Sequence, residues 1–314
     1  MLSLPSNSCC RNKITTILKE CFLCHPTVVA EIKPHVKNLI QEVNNMYAID
    51  FEYDGLTLSD FGMMIGSFSS TGTETVSSGA DISFQTVRPA GSDRFRFYGA
   101  KYEEAYTATI QICKCPCISP TPYLSPTEVS GLQRWLCRKE GFHKLHVMSD
   151  SYSDIYWNAA FSSKQINLGG HIVGLELTLY TDAPYAYQKE QTFSFSLAPG
   201  GKFSIYDTSD EVGYIYPCVV IKAIKDGNIH LSNQLDHFSL SLKVLSPNEK
   251  ITLDGKNKRI TSTDKEGNLA SRFNFHFPRI CNTFENRNNE FTLSQDSVGC
   301  DISFTYSPII KIGI

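Results

Sequence analysis

Apolar and polar residues alternate with a period of two over most of the chain, the pattern of strands that bury one face and wet the other. The alternation begins abruptly at Met46: Tyr47, Ile49, Phe51 and Tyr53 alternate with Ala48, Asp50, Glu52 and Asp54, and Asp54-Gly55 then signals a turn. Further strands are predicted at Ile82 to Val87, Phe95 to Tyr98, Tyr106 to Cys113, His143 to Met148, Ile155 to Phe161 and Ile172 to Tyr180, several of them aromatic or β-branched. Later, Phe193, Phe195 and Leu197, then Val219 and Ile221, then Phe238, Leu240 and Leu242, then Cys300, Ile302, Phe304 and Tyr306 each mark one strand face. Asp226-Gly227 and Asp254-Gly255 read as hairpin turns between such runs.

One helix interrupts the strands. Ser125-Pro126-Thr127-Glu128 offers a capping serine, a proline at the first helical position and a glutamate three residues after the cap. The apolar stripe that follows is Val129, Leu132, Trp135 and Leu136, ending near Cys137, a length suited to packing on one sheet. Thr181-Asp182-Ala183-Pro184 breaks the last strand of the first set, which places a domain boundary near 182 to 190. The expected organisation is an all-β chain of two β-sandwich-like domains, 46–185 with its one short helix and 186–314. Residues 1–45 differ: Val28, Ile32, Val36, Leu39, Ile40 and Val43 have helical spacing interrupted by Pro34. They read as a helical or disordered appendage, or as the product of a start called too early, with Met46 as the natural first residue.

Composition narrows the partners. The 314 residues carry 29 Lys plus Arg against 32 Asp plus Glu, a formal net charge of -3, so no field draws the chain to nucleic acid or to an acidic membrane. No run of eighteen apolar residues suggests insertion into a bilayer, and Arg11, Lys13, Lys19 and Glu20 break up any secretory core at the start. Eleven cysteines, unevenly spaced, read as reduced thiols of a chain made in a cytoplasm rather than as a disulfide framework.

Local motifs for chemistry each meet a plainer reading. Cys21-Phe22-Leu23-Cys24-His25 has haem-attachment spacing, and with Cys9 and Cys10 it is half a zinc site, but the export signal and the second ligand pair are missing. Cys113, Cys115 and Cys117 share one face of an extended strand, which surrounds a tetrahedral metal poorly and fits small apolar fillers. Asp60-Phe61-Gly62 spells a kinase tripeptide without the glycine-rich loop, lysine or catalytic loop that chemistry needs, and reads as a turn. No phosphate-binding loop, nucleophile elbow or zinc-protease motif occurs, and Glu103-Glu104 reads as solvated charge. Trp135 and Trp157 fall in apolar patterns that imply burial rather than an exposed sugar platform. No catalytic residue, cofactor or metal ligand is assigned, and the chain is not expected to be an enzyme.

From Met46 onward the order of pieces resembles the distal tail proteins of long-tailed bacteriophages, the siphophage tail-component family. Phe51-Glu52-Tyr53-Asp54-Gly55 with Ser59-Asp60-Phe61-Gly62 is similar to the family's first hairpin, and Leu124-Ser125-Pro126 through Arg134-Trp135-Leu136 to its single helix. Asp154-Ile155-Tyr156-Trp157-Asn158-Ala159-Ala160-Phe161 and Gly174-Leu175-Glu176-Leu177 resemble the strands closing the first domain. Tyr216-Pro217, Ile251-Thr252-Leu253-Asp254, Phe277-Pro278-Arg279-Ile280 to Asn286, and Cys300 to Tyr306 resemble those of the second. Phe61, Gly62, Trp135, Leu136, Trp157 and Phe161 are the signature positions.

The resemblance implies a ring, commonly a hexamer, of first domains around the tail channel, with galectin-like second domains outside. Such a ring joins the tail tube and tape-measure end to the tip protein or baseplate, supports receptor-binding proteins, and serves host attachment and genome delivery in a phage or prophage virion. The polar stretch from Thr71 to Ser78 and the hairpin through Pro89, Arg94 and Arg96 are the candidate inter-subunit arm. Two other readings stand beside this one: a carbohydrate-binding module or adhesin on the same sandwiches, and a hydrolase with dispersed carboxylates.

Overall fold

The computed structural model describes residues 50–68, 78–116, 118–149, 152–264 and 269–313. The expectations for residues 1–45, Cys117 and most of the Thr71 to Ser78 stretch lie outside these. The chain divides into two compact units, one reaching Pro184 and taking in Gly313, the other spanning Tyr185 to Ile312.

The first unit opens on a tight hairpin. β1 (Phe51–Tyr53) and β2 (Leu56–Thr57) flank Asp54 and Gly55, whose φ angles of 52° and 80° are the consecutive left-handed pair that a type I′ turn requires. A short 3-10 turn, Leu58–Phe61, follows: the Thr57 amide and hydroxyl both donate to the Asp60 carboxylate, and Gly62 ends it at φ 69°. The Asp60-Phe61-Gly62 tripeptide is thus a turn stop. β3 (Met63–Ile65), β4 (Ile82–Val87), β5 (Arg96–Tyr102), β6 (Thr107–Lys114), β7 (His143–Val147), β8 (Ile155–Leu168) and β9 (His171–Thr181) complete the unit's strands. Seven of them form one antiparallel sheet in the order β2-β1-β7-β8-β9-β6-β3, while β4 and β5 form a separate two-stranded ribbon.

Where a second facing sheet was expected, this unit uses its helix. α1 (Pro126–Leu136) starts on a reciprocal cap: the Glu128 amide donates to Ser125 Oγ at 3.3 Å, and the Ser125 amide donates to the Glu128 carboxylate at 2.7 Å. Its buried stripe is Val129, Leu132, Trp135 and Leu136. Lys114 at the end of β6 closes an ion pair of 2.7 Å with Glu128, tying the helix start to the sheet.

The second unit is a sandwich. Its strands are β10 (Ala186–Gln188), β11 (Gln191–Leu197), β12 (Lys202–Tyr206), β13 (Gly213–Ile215), β14 (Cys218–Ala223), β15 (Gly227–Asn233), β16 (Phe238–Leu245), β17 (Lys250–Asp254), β18 (Arg259–Ser262), β19 (Ile280–Asn282), β20 (Asn288–Leu293), β21 (Cys300–Tyr306) and β22 (Ile309–Ile310). A five-stranded sheet, β11-β21-β14-β17-β18, faces a four-stranded one, β12-β20-β15-β16. A one-turn helix, α2 (Leu269–Arg272), precedes β19. The alternating faces meet in one core in which Val219, Ile221, Leu240, Leu253, Phe291 and Phe304 have no measurable exposure. Asp254-Gly255 sits in the β17–β18 hairpin as expected. Asp226-Gly227 does not make a hairpin: β14 belongs to the five-stranded sheet and β15 to the four-stranded one, so this turn carries the chain across the sandwich. Turn chemistry specifies the reversal, and only the packing of both strands specifies the partner.

Candidate functional site

The signature positions assemble into the core of the first unit. Phe61 stacks on Trp135 with ring centroids 4.5 Å apart, Phe51 stacks on Phe161 at 5.6 Å, and Tyr53 meets Phe161 edge-on at 5.1 Å. Trp135 Nε1–H donates to the Tyr53 carbonyl at 3.0 Å, so the helix is pinned to β1 by a directional bond as well as by area. Leu136 and Phe161 are buried, and Trp157 is fully so, in register with Leu145 across β7. Gly62 lends its carbonyl to the Cys115 amide, which fixes the 3-10 turn against the end of β6. Phe61 and Trp135 thus hold α1 against β1 and the turn after it, and of the six signature residues only Phe61 is a large exposed side chain.

The electrostatics of this core are also structural. The hydrogen bond from Lys114, with help from the Ser125 amide, holds the Glu128 carboxyl at about 2. A hydrogen bond from Arg138 keeps the Asp54 carboxyl below the ordinary range, and Arg138 also lies over the Tyr53 ring. Cys113 and Cys115, at the end of β6, are in no disulfide, and burial pushes the Cys113 thiol up. Among the described residues no group of histidine, cysteine or carboxylate side chains is placed to hold a metal ion. No described helix is long and apolar enough to cross a membrane.

The most exposed element of the first unit is the β4–β5 ribbon. Its register pairs Ile82 with Tyr102, Phe84 with Ala100 and Thr86 with Phe97, so Ile82, Phe84, Phe97, Ala100 and Tyr102 share one face. Ser83, Gln85, Lys101 and Arg96 line the other, with Val87 and Gly99. A bulge between Gln85 and Thr86 makes this possible, because Tyr98 is the extra residue. Counting in twos from Tyr102 puts Arg96 on the apolar face, and the bulge puts Phe97 there instead. Among the described residues the aromatic part of this face is exposed: Phe84 is 67% and Phe97 65% exposed, with their rings 6.4 Å apart, and Phe95 and Tyr98 beside them are as open.

Pro89, Arg94 and Arg96 lie at the tip of this ribbon. The Ser92 amide donates to the Pro89 carbonyl, and Arg88 pairs with Asp93 and donates to the Ser92 carbonyl, which closes the turn. Arg94 and Arg96 are exposed, with no ion pair to a carboxylate among the described residues. The sequence located these strands; it did not show that the sheet leaves them uncovered, because Phe84 and Phe97 look the same in sequence whether a core or a partner covers them.

A sandwich unit and a helix-braced sheet with an exposed aromatic ribbon define a class: a two-domain, all-β protein. Within that class the chain belongs to a phage tail protein family. Residues 46–183 match the phage tail protein N-terminal domain, and residues 185–306 match the phage tail C-terminal domain. It is a structural component of the virion tail. No curated protein matches it. Among solved structures it is similar to the Dit protein of phage SPP1, described as a paradigm of the hub adsorption apparatus in phages infecting Gram-positive bacteria. That likeness has a TM-score of 0.59 at 12% identity and covers 83% of this chain and 99% of that one. The fold is thus the distal tail fold that the sequence resembles.

Proposed function

We propose that the chain is the distal tail subunit, closing into a homo-hexameric ring that joins the tail tube and tape-measure end to the tip protein. In this reading the ring carries receptor-binding proteins, supports host attachment and genome delivery, is assembled in the host cytoplasm, and catalyses no reaction. The observation that carries it is the amphipathic β4–β5 ribbon, whose aromatic face has no cover among the described residues. A ring needs a heterologous contact, one surface of a copy meeting a different surface of the next, and a projecting ribbon supplies one half of such a contact. Pro89, Arg94 and Arg96 at the tip are the inter-subunit arm in this proposal.

The test is the mass in solution by light scattering of the full chain and of the double variant Phe84→Glu, Phe97→Glu. A species six times the 35.2 kDa chain mass, reduced to a monomer in the variant, is the expected result. A full chain that remains monomeric at high concentration, or a variant that still forms the ring, counts against it.

A further inference from the structure

The second unit contains a cleft of about 530 Å³ that the association surface does not involve. Tyr216, Phe275 and Phe277 give it aromatic walls, Lys258 and Arg279 give it charge, and His276 lies at its lining. Lys258 Nζ sits 3.0 Å from the centre of the Tyr216 ring and 5.3 Å from that of Phe277. No carboxylate among the described residues lies within ion-pair distance of Lys258. Burial, and then the neighbouring Arg279, hold its ammonium below the usual lysine range. Arg279 donates to Asp236 at 2.5 Å and lies over the Tyr214 ring. Among the described residues Asp236 thus pairs with Arg279 alone, and the surplus positive charge belongs to Lys258.

Three further features give the cleft a ligand class. His237, Lys258 and Phe275 line it with φ angles of 55°, 53° and 58°, half of the six left-handed non-glycine residues among those described. Such backbone is sparsely populated by non-glycine residues and clusters at ligand-binding sites. His276 Nδ1 lies 2.9 Å from the Ser239 carbonyl, which only accepts, so Nδ1 donates to it and Nε2 is left for a ligand hydroxyl. Phe275, whose ring lies 5.4 Å from that of Phe273, is 59% exposed and offers an aromatic surface for the C–H face of a sugar. An extended peptide is disfavoured, because the β16 edge is already taken: the Asn274 amide donates to the Ser241 carbonyl, and Asn274 Nδ2 and His276 both donate to that of Ser239.

We infer that this cleft binds an anionic saccharide, with its carboxylate or phosphate at Lys258 and its ring against Phe275. The site lies within one unit of one chain, so it stands or falls independently of ring formation.

The experiment is titration calorimetry of the full chain with trigalacturonate, glucose 6-phosphate, neutral maltotriose, inorganic phosphate and hexaglutamate. Binding of trigalacturonate or glucose 6-phosphate, with maltotriose weaker by about tenfold, is expected. Lys258→Gln is expected to weaken the anionic sugars by about tenfold, the value of one charged hydrogen bond, while Lys256→Gln on the same turn leaves them unchanged. Phe275→Ala is expected to weaken them without altering the salt dependence, a second readout that does not rely on charge. The carboxylate and phosphate probes together tell which anion is preferred. Inorganic phosphate binding as tightly as either sugar, hexaglutamate binding more tightly, no binding by either anionic sugar, or indifference to both Lys258→Gln and Phe275→Ala overturns the inference.

Discussion

At the scale of the residue, charged side chains carry the least replaceable contacts. Glu249 is almost wholly buried and paired with Arg272 at 2.6 Å; burial alone raises its carboxyl, yet Arg272, Ser262 and the Ser246 amide together bring it below its ordinary value. Glu249→Ala leaves the guanidinium desolvated without its partner, and is expected to destabilise the second unit by about 3 kcal/mol, read by urea unfolding. Glu128 is different in kind, being partly open to water. Its folded value near 2 lies below its ordinary 4.5, so it adds stability above pH 4.5 and loses it as pH falls toward 2. Glu128→Gln should flatten the fall in stability over that window, and an unchanged slope would show that Lys114 does not govern it. Residue identity was a good guide where the signal was local, as at Asp54-Gly55. It was silent at Lys258 and Phe275, whose left-handed backbone neither side chain advertises.

Elements divide into those that sequence specifies and those that only packing completes. Ser125 through Glu128 satisfies the first amides of α1 by itself, which is why the helix and its buried stripe were legible to the residue. Ser125→Ala is expected to cost about 1 kcal/mol of stability in denaturant unfolding. The β4–β5 ribbon shows the opposite case. Its strands were legible, but its freedom from the main sheet was not, since alternation reports that a face is apolar and not what lies over it. Because that face is exposed, Phe84→Glu with Phe97→Glu is expected to change thermal stability of the monomer by about 0.5 kcal/mol or less per site while preventing association. A variant that fails to fold would instead assign those rings to a core. The Asp226-Gly227 turn was misread for a related reason: the residues of a turn are contiguous, whereas membership of a sheet depends on strands far along the chain.

On the scale of the whole molecule, the all-β organisation, the helix and the tail-family resemblance were all legible, because strand periodicity and the order of motifs run along the chain. The cleft was not, because Tyr216, Lys258 and Phe275 come from separate segments and converge only in the folded unit. The candidate arm was legible as a position and not as a surface, and the difference rests on the single surplus residue Tyr98. Strand alternation works like a count of odd and even, and one uncounted residue restarts it. On the stem side of Tyr98, Ala100 and Tyr102 are in phase with Ile82 and Phe84; on the tip side, Phe97 comes back into phase where plain counting would have put Arg96. Loss of Tyr98, or of Gly99 beside it, would absorb the surplus and leave both halves in step. The ribbon thus has one place where its length can change by a residue while it presents the same rings, and a tail could trade the tip beyond that place as a block.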